Sequence, residues 1–290
     1  MAESEMDQKK LVDYAYFPGC SLASTAKENN LSLLEMCRRI GVNLIEVEDW
    51  NCCGSSSAHT ISPDIALDLA ARNLFLAPPD KPLVVACPNC ILRLRQAHLE
   101  LLTNEVKRFK YEKQWGRPYN TGLQIIHFFE LLDGKDLSGI SPDFATSLAG
   151  LKFVPYYGCM LARPNALGNA KNYHGVMERI LSKTGATPLS WAYSSRCCGT
   201  FLSVVKPEVV TRAVNEIMRG ARDVGADCLV TACAMCHLNL EVRCSLKNPI
   251  PTMHFSELLA LALGVTDHRG WFSRHLVDPR PLLRERALIR

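Results

Sequence analysis

The 290-residue chain lacks several features that mark broad protein classes. No stretch approaches the roughly 18 consecutive apolar residues needed to span a bilayer, so no direct membrane insertion is expected. Residues Met1 to Lys10 are polar and of mixed charge, without the basic start and apolar core of a secretory leader, which predicts a soluble, cytoplasmic protein. The net charge is only +4 and no basic stripe is evident, so no nucleic-acid partner is expected. No Gly-x-Gly-x-x-Gly opens a helix, which argues against a flavin or nicotinamide site of that kind. What remains is an ordinary globular balance, 48% hydrophobic and 21% charged, long enough for one large domain or two ordinary ones.

Cysteine is unusually frequent, with thirteen in the chain. A reducing compartment disfavours structural disulfides, and an odd total argues against a fully paired framework. Clustered cysteines then point to metal or redox chemistry.

The cysteines form a pattern that occurs twice. The first half reads Phe17-Pro18-Gly19-Cys20, then Asn51-Cys52-Cys53-Gly54, then Ala86-Cys87-Pro88-Asn89-Cys90. The second reads Tyr157-Gly158-Cys159, then Arg196-Cys197-Cys198-Gly199, then Ala232-Cys233-Ala234-Met235-Cys236. From first cysteine to doublet is 32 positions in one half and 38 in the other; from doublet to Cys-x-x-Cys is 34 and 35. A later echo pairs His127-Phe128-Phe129-Glu130-Leu131-Leu132 with His254-Phe255-Ser256-Glu257-Leu258-Leu259. Such order and spacing indicate two copies of one domain, residues 1–140 and 141–290, the second with a C-terminal tail. The boundary falls near Asp133–Leu151, a stretch rich in Gly, Ser and Asp that includes Ser141-Pro142.

Each half reads as an α/β unit. Tyr14–Phe17 and Lys152–Tyr156 look like strands running into the first cysteine. Helical patterns over Ala26–Ile40 and Ala170–Thr184 each end before a glycine, Gly41 and Gly185. Leu44–Val47 predicts a second strand, Ile65–Leu76 and Val209–Val224 predict helices, and Leu83–Ala86 and Cys228–Thr231 predict strands that feed into Cys-x-x-Cys. The expected class is α/β, two pseudo-symmetric repeated domains with mostly parallel sheets. Ligands of such sheets gather at the C-terminal strand ends, where all three cysteine elements fall.

Five cysteines per half exceed the four of a closed structural zinc site. Adjacent cysteines diverge from one short backbone link, so they suit different irons of a cluster better than one ion. The glycine after each doublet, lacking a Cβ, is expected to let backbone approach such a cluster. Thiolates suit iron–sulfur clusters and zinc alike. Spacing alone favours a cluster, with zinc and bare redox thiols as alternatives. No Cys-x2-Cys-x2-Cys-x3-Cys-Pro run encodes a ferredoxin-type cubane cluster.

The doublet-centred pattern resembles the cysteine-rich CCG domain, and its tandem form resembles the B-type subunit of heterodisulfide reductase. The likeness runs from Tyr14 to about Val265, and Cys233-Ala-Met-Cys236-His-Leu-Asn-Leu240 is similar to that family's C-terminal set. The resemblance implies two noncubane [4Fe-4S] clusters. Cys20, Cys52, Cys53, Cys87 and Cys90 would hold one; Cys159, Cys197, Cys198, Cys233 and Cys236 would hold the other. It implies that they face each other across a central cavity near the domain interface and split a disulfide, one sulfur and one electron each. The partners it further implies are a ferredoxin-like C-type subunit plus a flavin-bearing A-type subunit, with a disulfide or thiol substrate.

Alternatives are a CCG-type electron-transfer subunit of a quinone-linked lactate, glycolate or succinate complex, and a scaffold with one cluster and zinc in the other half. Gly54-Ser-Ser-Ser57 and Gly199-Thr-Phe-Leu202 lean away from the lactate type, which usually continues Gly-Phe-Gly-Gly. Cys233-Ala-Met-Cys236-His237 also matches a haem attachment signature, but Cys87-Pro-Asn-Cys90-Ile91 lacks the histidine. Cys37, Cys228 and Cys244 fall outside the repeat and read as core thiols. His127 and His254, three residues before Glu130 and Glu257, are weak catalytic candidates; the plainer reading is a repeated helix-capping or interface histidine. Lys107-Arg108-Phe109-Lys110 reads as a solvated helix face, and the tail Arg269–Arg290 as a wrap or a partner segment.

Overall fold

A computed structural model describes residues 11–55, 57–162 and 173–289. The chain divides into two compact units, Met1–Cys20 with Leu34–Asp133 and Ser21–Leu33 with Gly134–Arg290.

The first unit is built on a parallel sheet of β1 (Val12–Phe17), β2 (Val42–Glu46), β3 (Leu83–Val85) and β4 (Ile125–His127), in the order β2-β1-β3-β4. All three residues of β3 are buried, as a central strand covered on both faces requires. The helix Pro63–Leu76 starts where sequence chemistry says it should: the Ser62 side chain accepts from the Ile65 N–H, and proline occupies the first turn. The helix Pro88–Thr103 begins directly after Cys87, and Glu105–Trp115 stops at Gly116 with a left-handed φ of 64°. Phe109 on that last helix is exposed while the Arg108 side chain, paired with Glu105, is only 17% exposed, so the basic stretch is solvated in part.

The second unit repeats the plan with β5 (Lys152–Tyr156), β6 (Thr187–Pro188), β7 (Cys228–Thr231) and β8 (Thr252–His254), ordered β6-β5-β7-β8 and again all parallel. The helix Pro207–Asp223 buries Val210, Val214, Ile217, Met218 and Ala221, one face at helical spacing, in a core with Val154, Tyr156 and Leu229. The helix expected over 170–184 runs Val176–Leu181 and tightens to a 3-10 turn at Ser182–Thr184, with Gly185 closing it; residues 170–172 lie outside the described residues. Leu137, Phe144, Leu148 and Leu151, read as linker from composition, are buried. The tail is packed too, through buried Trp271, Phe272 and Leu283 and a 2.7 Å Arg286–Asp227 ion pair.

Both sheets reverse their winding direction between the first strand and the third, at β1/β3 and β5/β7. In open parallel sheets that reversal opens a crevice at the C-terminal strand ends. No described helix is long and apolar enough to cross a membrane.

Candidate metal centres

The strand register decides what meets at each crevice. Phe17, Val85 and His127 lie in one row across β1, β3 and β4, and Tyr156, Thr231 and His254 in the matching row across β5, β7 and β8. Cys20 therefore leaves the end of β1 beside the Cys87–Cys90 turn leaving β3, and the Cys52-Cys53 loop follows β2. The second unit does the same with Cys159, Cys233–Cys236 and Cys197-Cys198.

Each doublet splits. Cys52 Sγ lies 3.9 Å from Cys20 Sγ, while Cys53 Sγ lies 3.1 Å from Cys90 Sγ. Cys20 and Cys52 are exposed, whereas Cys53, Cys87 and Cys90 are buried. The second set keeps the division: Cys198 Sγ is 3.4 Å from Cys236 Sγ, Cys198, Cys233 and Cys236 are buried, and Cys159 and Cys197 lie further out. Five sulfurs thus form an outer pair and an inner triple in each unit. None of the thirteen cysteines is joined in a disulfide. Cys37 and Cys228 are fully buried and Cys244 packs half-buried against the second core, as core thiols do.

Thiols this close cannot all ionise without a cation among them. Hydrogen bonds from Cys20 and Cys53 pull Cys52 down to about 2, and the bond to Cys52, with burial, pushes Cys53 up to about 12. Cys20 is raised chiefly by its bond to Cys52. In the second set Cys236 is raised by its bond to Cys198, which is lowered in turn. A positively charged iron–sulfur core would let all five ionise, so the donor set fits that group.

Glycine geometry accounts for the residue before the first cysteine of each set. Gly19, at φ +75°, has so little room that a Cβ would sit 2.9 Å from Cys90 Sγ; at Gly158, φ +63°, it would sit 3.3 Å from Cys236 Sγ. The glycines after the doublets have a different reason. A Cβ on Gly54 would meet Leu69 at 3.0 Å, and one on Gly199 would meet Val210 at 3.2 Å, so these glycines serve a left-handed turn and core packing.

His127 and His254 are N-caps. Each accepts from the backbone two residues on, and Glu130 or Glu257 returns a carboxylate to the cap's own N–H, completing a capping box. His127 Nε2 also lies 3.2 Å from the Ala86 carbonyl, and the His254 ring hydrogen-bonds the Ala232 backbone, so each braces the residue before a Cys-x-x-Cys. Burial holds His254 down at about 3. Three residues beside the sulfurs carry no motif of their own. Tyr16 and Tyr156 lie buried near the sulfurs, their phenols pushed up first by burial, and Tyr156 donates to the Arg196 carbonyl at 2.5 Å. Asn239 donates to the Cys198 carbonyl at 2.8 Å. Only their positions, three or four residues before a first cysteine or three after a last, flag them.

The family model described as "Cysteine-rich domain" (CCG) matches residues 14–95 and 153–241. Over 280 residues the chain is 26% identical to the 8-methylmenaquinol:fumarate reductase membrane anchor subunit of Wolinella succinogenes, covering 93% of this chain and 99% of that one. It is 25% identical to the B-type subunit of the ferredoxin/F(420)H(2)-dependent CoB-CoM heterodisulfide reductase of Methanosarcina acetivorans, over 78% of this chain and 81% of the relative. A protein of Archaeoglobus profundus described as like the B-type subunit of heterodisulfide reductase is 24% identical, with 88% and 91% covered. Among solved structures, a hypothetical protein from Helicobacter pylori shares the fold at a TM-score of 0.71 and 14% identity, over 92% of this chain; this chain spans 52% of that one.

Proposed function

Because the chain belongs to the cysteine-rich CCG family and carries that domain twice, we propose that it is the iron–sulfur catalytic subunit of a heterodisulfide-reductase-like complex, acting on a disulfide or related sulfur substrate. The observation that supports this most is the completeness of both five-cysteine sets, each with its doublet divided between an outer pair and a buried triple. A donor set of that shape suits a noncubane [4Fe-4S] cluster whose two parts need separate thiolates. Cys20, Cys52, Cys53, Cys87 and Cys90 hold one, and Cys159, Cys197, Cys198, Cys233 and Cys236 the other. Bound there, such clusters supply single electrons and a soft iron that accepts sulfur.

The protein's own residues hold this centre in place. His127 and His254 fix the backbone entering each Cys-x-x-Cys, Asn239 ties down the Cys198 carbonyl, and Tyr156 the turn before its doublet. Electrons come from or go to other members of the complex, one ferredoxin-like and one flavin-bearing in this reading.

One comparison favours a second reading. The fumarate reductase relative matches along nearly its whole length, which suits an electron-transfer subunit of a quinol-linked reductase. Iron and acid-labile sulfide on anaerobically purified protein, followed by electron paramagnetic resonance after mild oxidation, separate the cases. About eight irons per chain, with a signal altered by added thiol, is the expected result. Eight irons without a thiol response moves the chain to the quinol-linked reading, and about four irons refutes the paired centre.

A further inference from the structure

At one matching position the two units carry opposite charges. Five residues after the last cysteine of the set stands Arg95 in the first unit and Glu241 in the second. Arg95 pairs with Glu130 at 2.7 Å and donates to the Ile125 carbonyl, a simple ion pair. In the second unit the corresponding partners are two carboxylates, Glu241 and Glu257, and His275 from the C-terminal segment lies between them. Its Nε2 is 2.8 Å from Glu257 Oε1 and its Nδ1 is 3.3 Å from Glu241 Oε1. His237, one turn before Glu241 on the same helix, brings Nε2 to 3.5 Å from that same oxygen. The three side chains are 0–4% exposed.

The outer nitrogens are already committed. His275 Nε2 donates to Glu257, and His237 Nδ1 lies 3.0 Å from the Asn29 amide oxygen, an acceptor. With those protons placed and both rings neutral, His237 Nε2 and His275 Nδ1 present lone pairs, and so does Glu241 Oε1. None of the three has a hydrogen-bond partner, yet all lie within 4.8 Å of one another. Three buried lone pairs this close repel unless a positive charge, a metal ion or a proton on His275, stands among them. The spacing suits a metal ion: bonds of about 2.0–2.1 Å in a tetrahedron give ligand–ligand edges of roughly 3.3–3.4 Å. Metal-bound histidines also characteristically give their second nitrogen to a carboxylate or carbonyl, as both do here.

We propose that His237, Glu241 and His275 bind one zinc ion, a structural site that fastens the C-terminal segment to the cysteine-bearing helix Ala234–Arg243. A water or the nearby buried Glu28 completes the coordination. The site is separate from the sulfur sets and uses none of their ligands.

The test is zinc content and zinc X-ray absorption on the full-length, anaerobically purified protein grown with added zinc. The expected result is about one zinc per chain with only nitrogen and oxygen neighbours at about 2.0–2.1 Å and outer imidazole scattering. Glu241→Gln should then lower bound zinc at least tenfold while iron and labile sulfide stay unchanged. Wild-type protein without zinc, or with sulfur neighbours near 2.3 Å, overturns the proposal, whether or not the variant folds. Iron content tests the sulfur sets and zinc coordination tests this site, so each can fail alone.

Discussion

Replacing Gly19 by alanine isolates the role of close approach at the first sulfur set. Gly41 provides the control, because it shares the left-handed conformation at φ +80° and has open space where a Cβ would go. Forcing alanine into that conformation costs about 1–2 kcal/mol, partly offset by a stiffer unfolded chain, so Gly41→Ala should destabilise by about 1 kcal/mol. At Gly19 the same backbone cost applies, and the new Cβ lies 2.9 Å from Cys90 Sγ. That sulfur cannot retreat easily, since it is buried and already 3.1 Å from Cys53. Overpacking of this kind adds about 1–3 kcal/mol. Urea unfolding should rank Gly19→Ala below Gly41→Ala by that margin. Iron analysis should show full content in Gly41→Ala and roughly half in Gly19→Ala, as expected if one of two clusters is lost. Equal stability and equal iron in the two variants would refute the argument that Gly19 exists to let backbone reach the sulfurs.

Cys53→Ser and Cys198→Ser should each abolish disulfide turnover measured with an artificial electron donor; wild-type rates in either variant would show that paired sulfur sets are not needed. Arg95→Ala removes the cation from the largely buried Glu130, which keeps its bond from the His127 N–H, and chemical denaturation should report a loss of about 1.5–3 kcal/mol. Burial holds His254 neutral until about pH 3, whereas the unfolded ring takes a proton near its ordinary value of 6.5. The unfolded state therefore binds more protons between those limits, and stability should fall on acidification by up to about 1.4 kcal/mol per pH unit. His254→Asn keeps a capping acceptor and should flatten that slope, a comparison made by unfolding at pH 6.5 and pH 5.

Much of the fold is legible because strands and cysteines adjoin. Leu83–Val85 and Cys228–Thr231 announce themselves by β-branched runs that stop at Cys-x-x-Cys, and the repeated doublets mark the sites. The fourth strands are not legible: Ile125–His127 and Thr252–His254 have three residues each and flow directly into capping boxes. The His-x-x-Glu pairs therefore read as one helical face, whereas the histidine ends a strand and the glutamate begins a helix. The glycine after the doublet is expected to face the sulfurs, but Leu69 and Val210 occupy that direction, a packing fact no local pattern encodes. His275 is equally hidden, being far along the chain from Glu241 in a tail without motif. The i, i+4 spacing of His237 and Glu241 is a signal in plain view.

The division of the chain into units has a consequence for its synthesis. Ser21–Leu33 precedes nearly all of the first unit yet belongs to the second, where Asn29 meets His237 and Ser32 meets Ser256 at 2.7 Å. A ribosome adding about 5–20 residues per second needs roughly 10–40 s to make the two hundred or so residues between that segment and His237 or Ser256. For that interval the segment is out of the ribosome without its partners. A protein begun at Gly134 would lack the segment altogether, so the gene's two halves are not two separable folding instructions.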